Sequence, residues 1–126
     1  MRKLPLALAL LALPATLAIA GDRRAIPAAE PAGKPLSCVR LTDIRETRVR
    51  SDQVIDFVAR NGRVYRNTLP QGCPGLGFEQ RFSYATSLSQ LCSVDIITVL
   101  QMPNVSPGAS CGLGQFQPVT LANPRR

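Results

Sequence analysis

Along much of this chain apolar and polar residues alternate with the two-residue period of a half-buried strand. Residues 54–68 carry the strongest signal. Two runs rich in β-branched and aromatic side chains, Val54-Ile55-Asp56-Phe57-Val58-Ala59 and Val64-Tyr65-Arg66-Asn67-Thr68, flank Asn61-Gly62, which predicts a hairpin. A two-residue turn at Asn61-Gly62 would set Phe57 opposite Arg66 and Asp56 opposite Asn67. A three-residue loop of Arg60, Asn61 and Gly62, with Gly62 left-handed in a bulge, instead sets Phe57 opposite Tyr65, Val58 opposite Val64 and Asp56 opposite Arg66. Aromatic, β-branched and opposite-charge pairs each add a few tenths to about 1 kcal/mol, so the bulged loop is expected.

The same period continues downstream. Residues 78–86 set Phe78, Gln80, Phe82 and Tyr84 against Glu79, Arg81 and Ser83, the pattern of a strand with one buried face. Residues 94–100 are nearly all apolar and β-branched, which predicts a central strand covered on both faces. Residues 113–120 read as a last short strand, residues 103–108 as loop, and residues 40–50 as one or two strands at the front. Residues 71–77, Gln71-Gly72-Cys73-Pro74-Gly75-Leu76-Gly77, form a turn-rich connector that excludes regular structure. Beyond residue 20 the only helical signal is a single turn over residues 87–92. The expected fold is all-β, a small barrel or sandwich of about six mostly antiparallel strands.

Two segments fall outside this period. Arg2 and Lys3, the apolar run over residues 4–17 and Ala18-Ile19-Ala20 have the order of an export signal cleaved after Ala20. Pro5 and Pro14 interrupt the run, which falls short of the roughly 20 apolar residues of a spanning helix, so no transmembrane segment is expected in the mature chain. Residues 21–36 are rich in Ala and Pro with no apolar periodicity and read as a flexible leader. One β domain then spans residues 37–120, and residues 121–126 are a tail.

Export changes the meaning of Cys38, Cys73, Cys92 and Cys111, because disulfides persist outside the cytosol. Their gaps of 35, 19 and 19 residues lack the close pairs of a zinc site, so no metal is expected. If successive strands run antiparallel, Cys38 and Cys92 fall at one end of the sheet and Cys73 and Cys111 at the other. Joining Cys92 to Cys111 would span a strand roughly 25 Å long, whereas bridged Cα atoms lie within about 7 Å. This favours Cys38 with Cys92 and Cys73 with Cys111 over the other two connectivities.

After cleavage, 13 basic residues stand against 8 acidic ones, and they are unevenly distributed. Eight arginines lie in residues 37–81, while residues 82–124 contain no basic residue and only Asp95. Such asymmetry can give one side of a domain a positive field; arginines interleaved with acids also make an ordinary solvated strand face. Arg60, Arg63 and Arg66 on the hairpin are the candidate binding residues. An anionic envelope component or a protein is the expected kind of partner. Nucleic acid is not expected, since the chain is exported and offers few aromatics for stacking.

Catalytic signals are weak. Gly108-Ala109-Ser110-Cys111-Gly112 matches the G-x-S-x-G nucleophile elbow by letter, but the elbow needs an α/β sheet and a histidine base, and the chain has no histidine. Asp95 lies between Val94 and Ile96, where a carboxylate is costly unless partnered. That points to a structural ion pair or to hydrogen bonds with a loop, with a polar anchor in a ligand pocket as the functional alternative. No catalytic residue and no cofactor is expected.

Cys38, the segment from Asp56-Phe57-Val58 to Arg63-Val64-Tyr65-Arg66, Cys73-Pro74-Gly75-Leu76, Phe82-x-Tyr84 and Leu91-Cys92-Ser93-x-Asp95 resemble a family of small exported proteobacterial proteins known only as a domain of unknown function. The resemblance implies an envelope or secreted location and brings no activity or ligand with it. The sequence therefore leads to the expectation of a periplasmic or secreted, non-enzymatic β domain that binds or supports an envelope component. The alternative is a small inhibitor of a secreted or periplasmic hydrolase, using residues 71–77 as a braced insert.

Overall fold

The computed structural model describes residues 11–12, 25–86 and 88–123. The expected export signal and its cleavage site lie outside these residues, apart from positions 11 and 12. The strands are β1 (Ala29–Pro31), β2 (Cys38–Arg40), β3 (Ile44–Val49), β4 (Val54–Ala59), β5 (Val64–Thr68), β6 (Phe82–Tyr84), β7 (Gln90–Cys92), β8 (Ile96–Gln101), β9 (Ser106–Gly112) and β10 (Phe116–Leu121). A 3-10 turn, Leu41–Asp43, joins β2 to β3, and a one-turn helix, α1 (Leu76–Glu79), precedes β6. Three antiparallel sheets result, in the orders β1-β10-β5-β4-β3, β6-β8-β9 and β2-β7. They remain open and pack as an all-β sandwich.

The hairpin adopts the bulged register. Phe57 faces Tyr65, Val58 faces Val64 and Asp56 faces Arg66. Gly62 takes a φ of 86°, which a residue with a Cβ rarely adopts, and its N–H donates to the Ala59 carbonyl. One face of this five-stranded sheet supplies Ile55, Phe57 and Phe116 to the core. There they meet Ile97 and Val99 of β8, Val39 and Leu91 of the two-stranded ribbon, and Leu69 and Leu76 of the connectors. The Phe57 ring packs edge-on against Phe116 at 5.2 Å and Phe82 at 6.4 Å. Asn67 is buried with them, and its amide both donates to and accepts from the backbone of Gly114, so the desolvated group is fully paired.

Both disulfides join the cysteines favoured by strand parity, Cys38 with Cys92 and Cys73 with Cys111. Cys38 and Cys92 are direct cross-strand neighbours in β2-β7, their Cα atoms 4.0 Å apart. The adjacent Ser93 N–H donates to the Ser37 carbonyl, which makes the cysteines a pair without mutual backbone hydrogen bonds, the closer of the two antiparallel spacings. Cys73 ties the connector after β5 to Cys111 of β9.

Several elements depart from the sequence pattern. Part of the leader is ordered: β1 pairs with β10, and Leu36 bridges Phe116. Its prolines permit this because Pro27, Pro31 and Pro35 occupy odd positions, while the backbone groups of Ala28, Ala32 and Leu36, all even, bond to β10 and the residues beside it. Proline on an edge strand costs little when its missing N–H points away from the ladder. Residues 78–86 are not one strand. A helical turn closes at Gln80, which is left-handed with a φ of 62°, and this reversal leaves Phe78 87% exposed. The strand over residues 94–100 begins at Ile96 and has one buried face only, with Ile97 and Val99 inside and Ile96 58% exposed. Ser106–Gly112, expected as loop in its first half, forms edge strand β9, where Pro107 and the glycines are tolerated. The domain also extends one residue further than expected, to the buried Leu121.

Two outcomes follow. Non-reducing peptide mapping should yield Cys38–Cys92 and Cys73–Cys111 linked peptides, and replacing Cys38 and Cys92 by alanine should lower stability in urea by on the order of 4 kcal/mol in the chain-entropy picture. Gly114→Ala should destabilise by about 1–3 kcal/mol, because its Cβ would collide with the Thr68 carbonyl oxygen; an unchanged urea midpoint would contradict that packing.

Candidate functional site

The second face of the five-stranded sheet carries the site. Alternation along the strands turns Glu46 and Arg48 of β3, Asp56 and Val58 of β4, Val64 and Arg66 of β5, and Gln117 and Val119 of β10 toward this side. A bulge between Ile44 and Glu46 inserts Arg45 as an unpaired extra residue. Bulges of this kind redirect a side chain, and Arg45 joins Arg48 in lining one groove.

Two charge clusters occupy this face, and they differ in burial. Asp56 is 0% exposed. Both oxygens of its carboxylate accept from Arg66, through Nε at 2.8 Å and a terminal nitrogen at 3.0 Å, and Oδ2 also accepts from Arg50 Nε at 2.9 Å. This two-pronged pairing offsets the desolvation of the carboxylate. The second cluster lies in water: Glu46 accepts from Arg48 at 2.8 Å and from Arg45 at 3.2 Å. The hydrogen bond from Arg48 holds the Glu46 carboxyl below its usual range, assisted by the Arg48 charge and by Arg45.

Beyond this second cluster lies an open groove of about 610 Å³. Its lining includes Arg45, Arg48 and Arg63, together with Val58, Val64 and Val119. Among the described residues of this face, five arginines (Arg45, Arg48, Arg50, Arg63, Arg66) stand against two carboxylates, Glu46 and Asp56, a positive surplus of the kind that attracts anions.

The four residues singled out from sequence separate. Arg63 lies in the groove. Arg66 is taken up by Asp56. Arg60 turns to the other side of the hairpin, where its Nε donates to the Thr42 carbonyl at 2.8 Å. Asp95 is remote from all three: its carboxylate accepts from the Cys92 N–H at 2.7 Å while its own N–H donates to the Cys92 carbonyl, closing the turn before β8. Hydrogen bonding to a loop is thus the observed role of Asp95. Arg45 and Arg48 were not anticipated. Their signal was the spacing of Ile44 and Val49, which both turn toward the core although five apart, a separation that a regular strand cannot place on one face.

Compared with known proteins, the chain matches no family model, no curated protein and no solved structure. Among the described residues no group of three or more His, Cys, Asp or Glu side chains could hold a metal ion.

The two clusters should respond differently to substitution. Arg66→Gln, which leaves the buried Asp56 with half its partners, should cost about 3 kcal/mol in urea unfolding. Arg63→Gln, on the groove, should stay within about 0.5 kcal/mol of the parent.

Proposed function

We propose that the chain is an exported, non-enzymatic binding domain of the cell envelope, and that the arginine-bearing face of its five-stranded sheet takes an anionic partner. The observation that carries this reading is the convergence of Arg45, Arg48 and Arg63 on one groove, where the carboxylate bonded to the first two is that of Glu46. Glu46 holds the Arg45 and Arg48 guanidiniums beside one another before binding, which lowers the side-chain order to be lost on association for these two. The location rests on the export signal in the sequence and on the two disulfides, which suit an oxidising compartment.

A second reading, inhibition of a secreted hydrolase, is favoured by the lobe around residues 71–78. Gly72 and Gly75 are left-handed there, Cys73 is bridged to Cys111, and Gly77 N–H donates to the Asp52 carboxylate at 2.7 Å. This rigid framework presents an exposed Phe78, the type of aromatic anchor that fills a partner's pocket. Loss of inhibition on Phe78→Ala, against proteases and cell-wall hydrolases, is its test.

For the favoured reading, the protein should be retained on immobilised dextran sulfate at low ionic strength and released at high ionic strength. The triple substitution of Arg45, Arg48 and Arg63 by glutamine should abolish retention with the circular dichroism spectrum unchanged. Glu46 supplies the pH dependence. Its folded-state pKa is depressed, so it keeps its charge until the pH falls below the usual carboxylate range. Protonation there removes a counter-charge and should strengthen retention. Glu46→Gln should strengthen it at neutral pH and remove that acid-side rise; retention indifferent to these arginines would sink the reading.

A further inference from the structure

We infer that the groove binds a single-chain amphiphilic anion, with its charged head on Arg63, Arg45 and Arg48 and its acyl chain along the valine row. The inference rests on the reading of this face as anion-binding and names the ligand class. The outward face of a sheet with water on one side is ordinarily polar. Here Val58, Val64 and Val119 stand directly opposite one another on three adjacent strands, and Leu121, two residues beyond Val119, lies in the same groove. At about 4.8 Å between neighbouring strands, the three valines of β4, β5 and β10 span roughly 10 Å.

Cross-strand packing of β-branched residues stabilises such a row by itself. It does not account for the three guanidiniums around the groove. Val58 and Leu121 are already buried, so a ligand of charge alone would use the arginines and leave the half-buried Val64 and Val119 in water, and inorganic phosphate would occupy only a small part of the 610 Å³. Among the described residues the lining contains no aromatic side chain, so it offers neither stacking for a base nor a platform for a sugar ring. An acyl chain ending in a phosphate or carboxylate uses both features. The hairpin tip, Asn61 and Gly62, on one side and Ala32 on the other also line the groove. This concave form suits one chain in monomeric solution better than a flat bilayer.

Isothermal titration calorimetry of the folded protein with decyl phosphate, kept below its micelle concentration, tests the assignment. One site is expected, binding at least about tenfold tighter than inorganic phosphate, because several methylenes leave water. Decyltrimethylammonium, with the same chain and the opposite charge, should not bind. Val64→Ser and Arg63→Gln should each weaken decyl phosphate several-fold with the thermal unfolding curve intact, and Val119→Ser serves if Val64→Ser fails to fold. Decyl phosphate binding no tighter than inorganic phosphate, or insensitive to these substitutions, would overturn the inference, as would binding to anionic vesicles with none to the monomer. If dextran sulfate is still held through the arginines in that event, the anion-binding reading survives; if it is not, both fail together.

Discussion

Two covalent bridges govern how this sandwich holds together. Its sheets have five, three and two strands, and none buries enough apolar surface to stand alone at this size. Cys38 precedes the long strands of the five-stranded sheet and Cys92 precedes β8, the centre of the three-stranded one. Joining them fixes the entry points of both layers. The Cys73–Cys111 bridge fixes the opposite relation, from the exit of the hairpin to the edge strand of the small sheet. Between these ties the core requires only a few large contacts, with Phe57 at their centre.

The hairpin register was legible because it follows from a local rule with a countable alternative. A one-residue change in loop length reverses every cross-strand pair from Asp56 to Val58, so side-chain chemistry alone decides the register. The disulfide pairing matches the expectation, but the parity behind it does not: Ser106–Gly112, read in part as loop, forms β9 and brings Cys111 opposite Ile97, at the same end of β8 as Cys92. Less legible were the elements that owe their form to tertiary partners. Ser106–Gly112 has poor strand propensity and is a strand because β8 offers it a ladder. Residues 25–36 bury little surface of their own, and their pairing is set by the free edge of β10.

The same limit applies to the site. Arg60, Arg63 and Arg66 are close in sequence, yet hairpin geometry sends them to the 3-10 turn, the groove and the buried Asp56 respectively. Proximity along a strand is a poor guide to proximity in space when successive residues face opposite ways. The pair that joins Arg63, Arg45 and Arg48, depends on the β3 bulge. In a regular strand without the bulge, alternation would direct position 45 away from the face of Arg48, toward the layer occupied by Thr47 and Val49.

Charge segregation between the layers gives the groove its setting. From residue 82 to residue 123 the only charged side chain is Asp95, and it is engaged in a turn. The three-stranded sheet therefore presents an uncharged outer face, in which Thr98 and Ser110 bond to each other, while the five-stranded sheet presents the arginines. A molecule built this way has an electrostatic front and back, and an anionic partner would meet the front first. Within that front the Arg50-Asp56-Arg66 cluster is already committed to the fold. Setting the buried cluster apart reduces the positive face to the stretch where Arg63 and the Glu46-paired Arg45 and Arg48 border the valine row, and there charge and apolar surface are offered side by side.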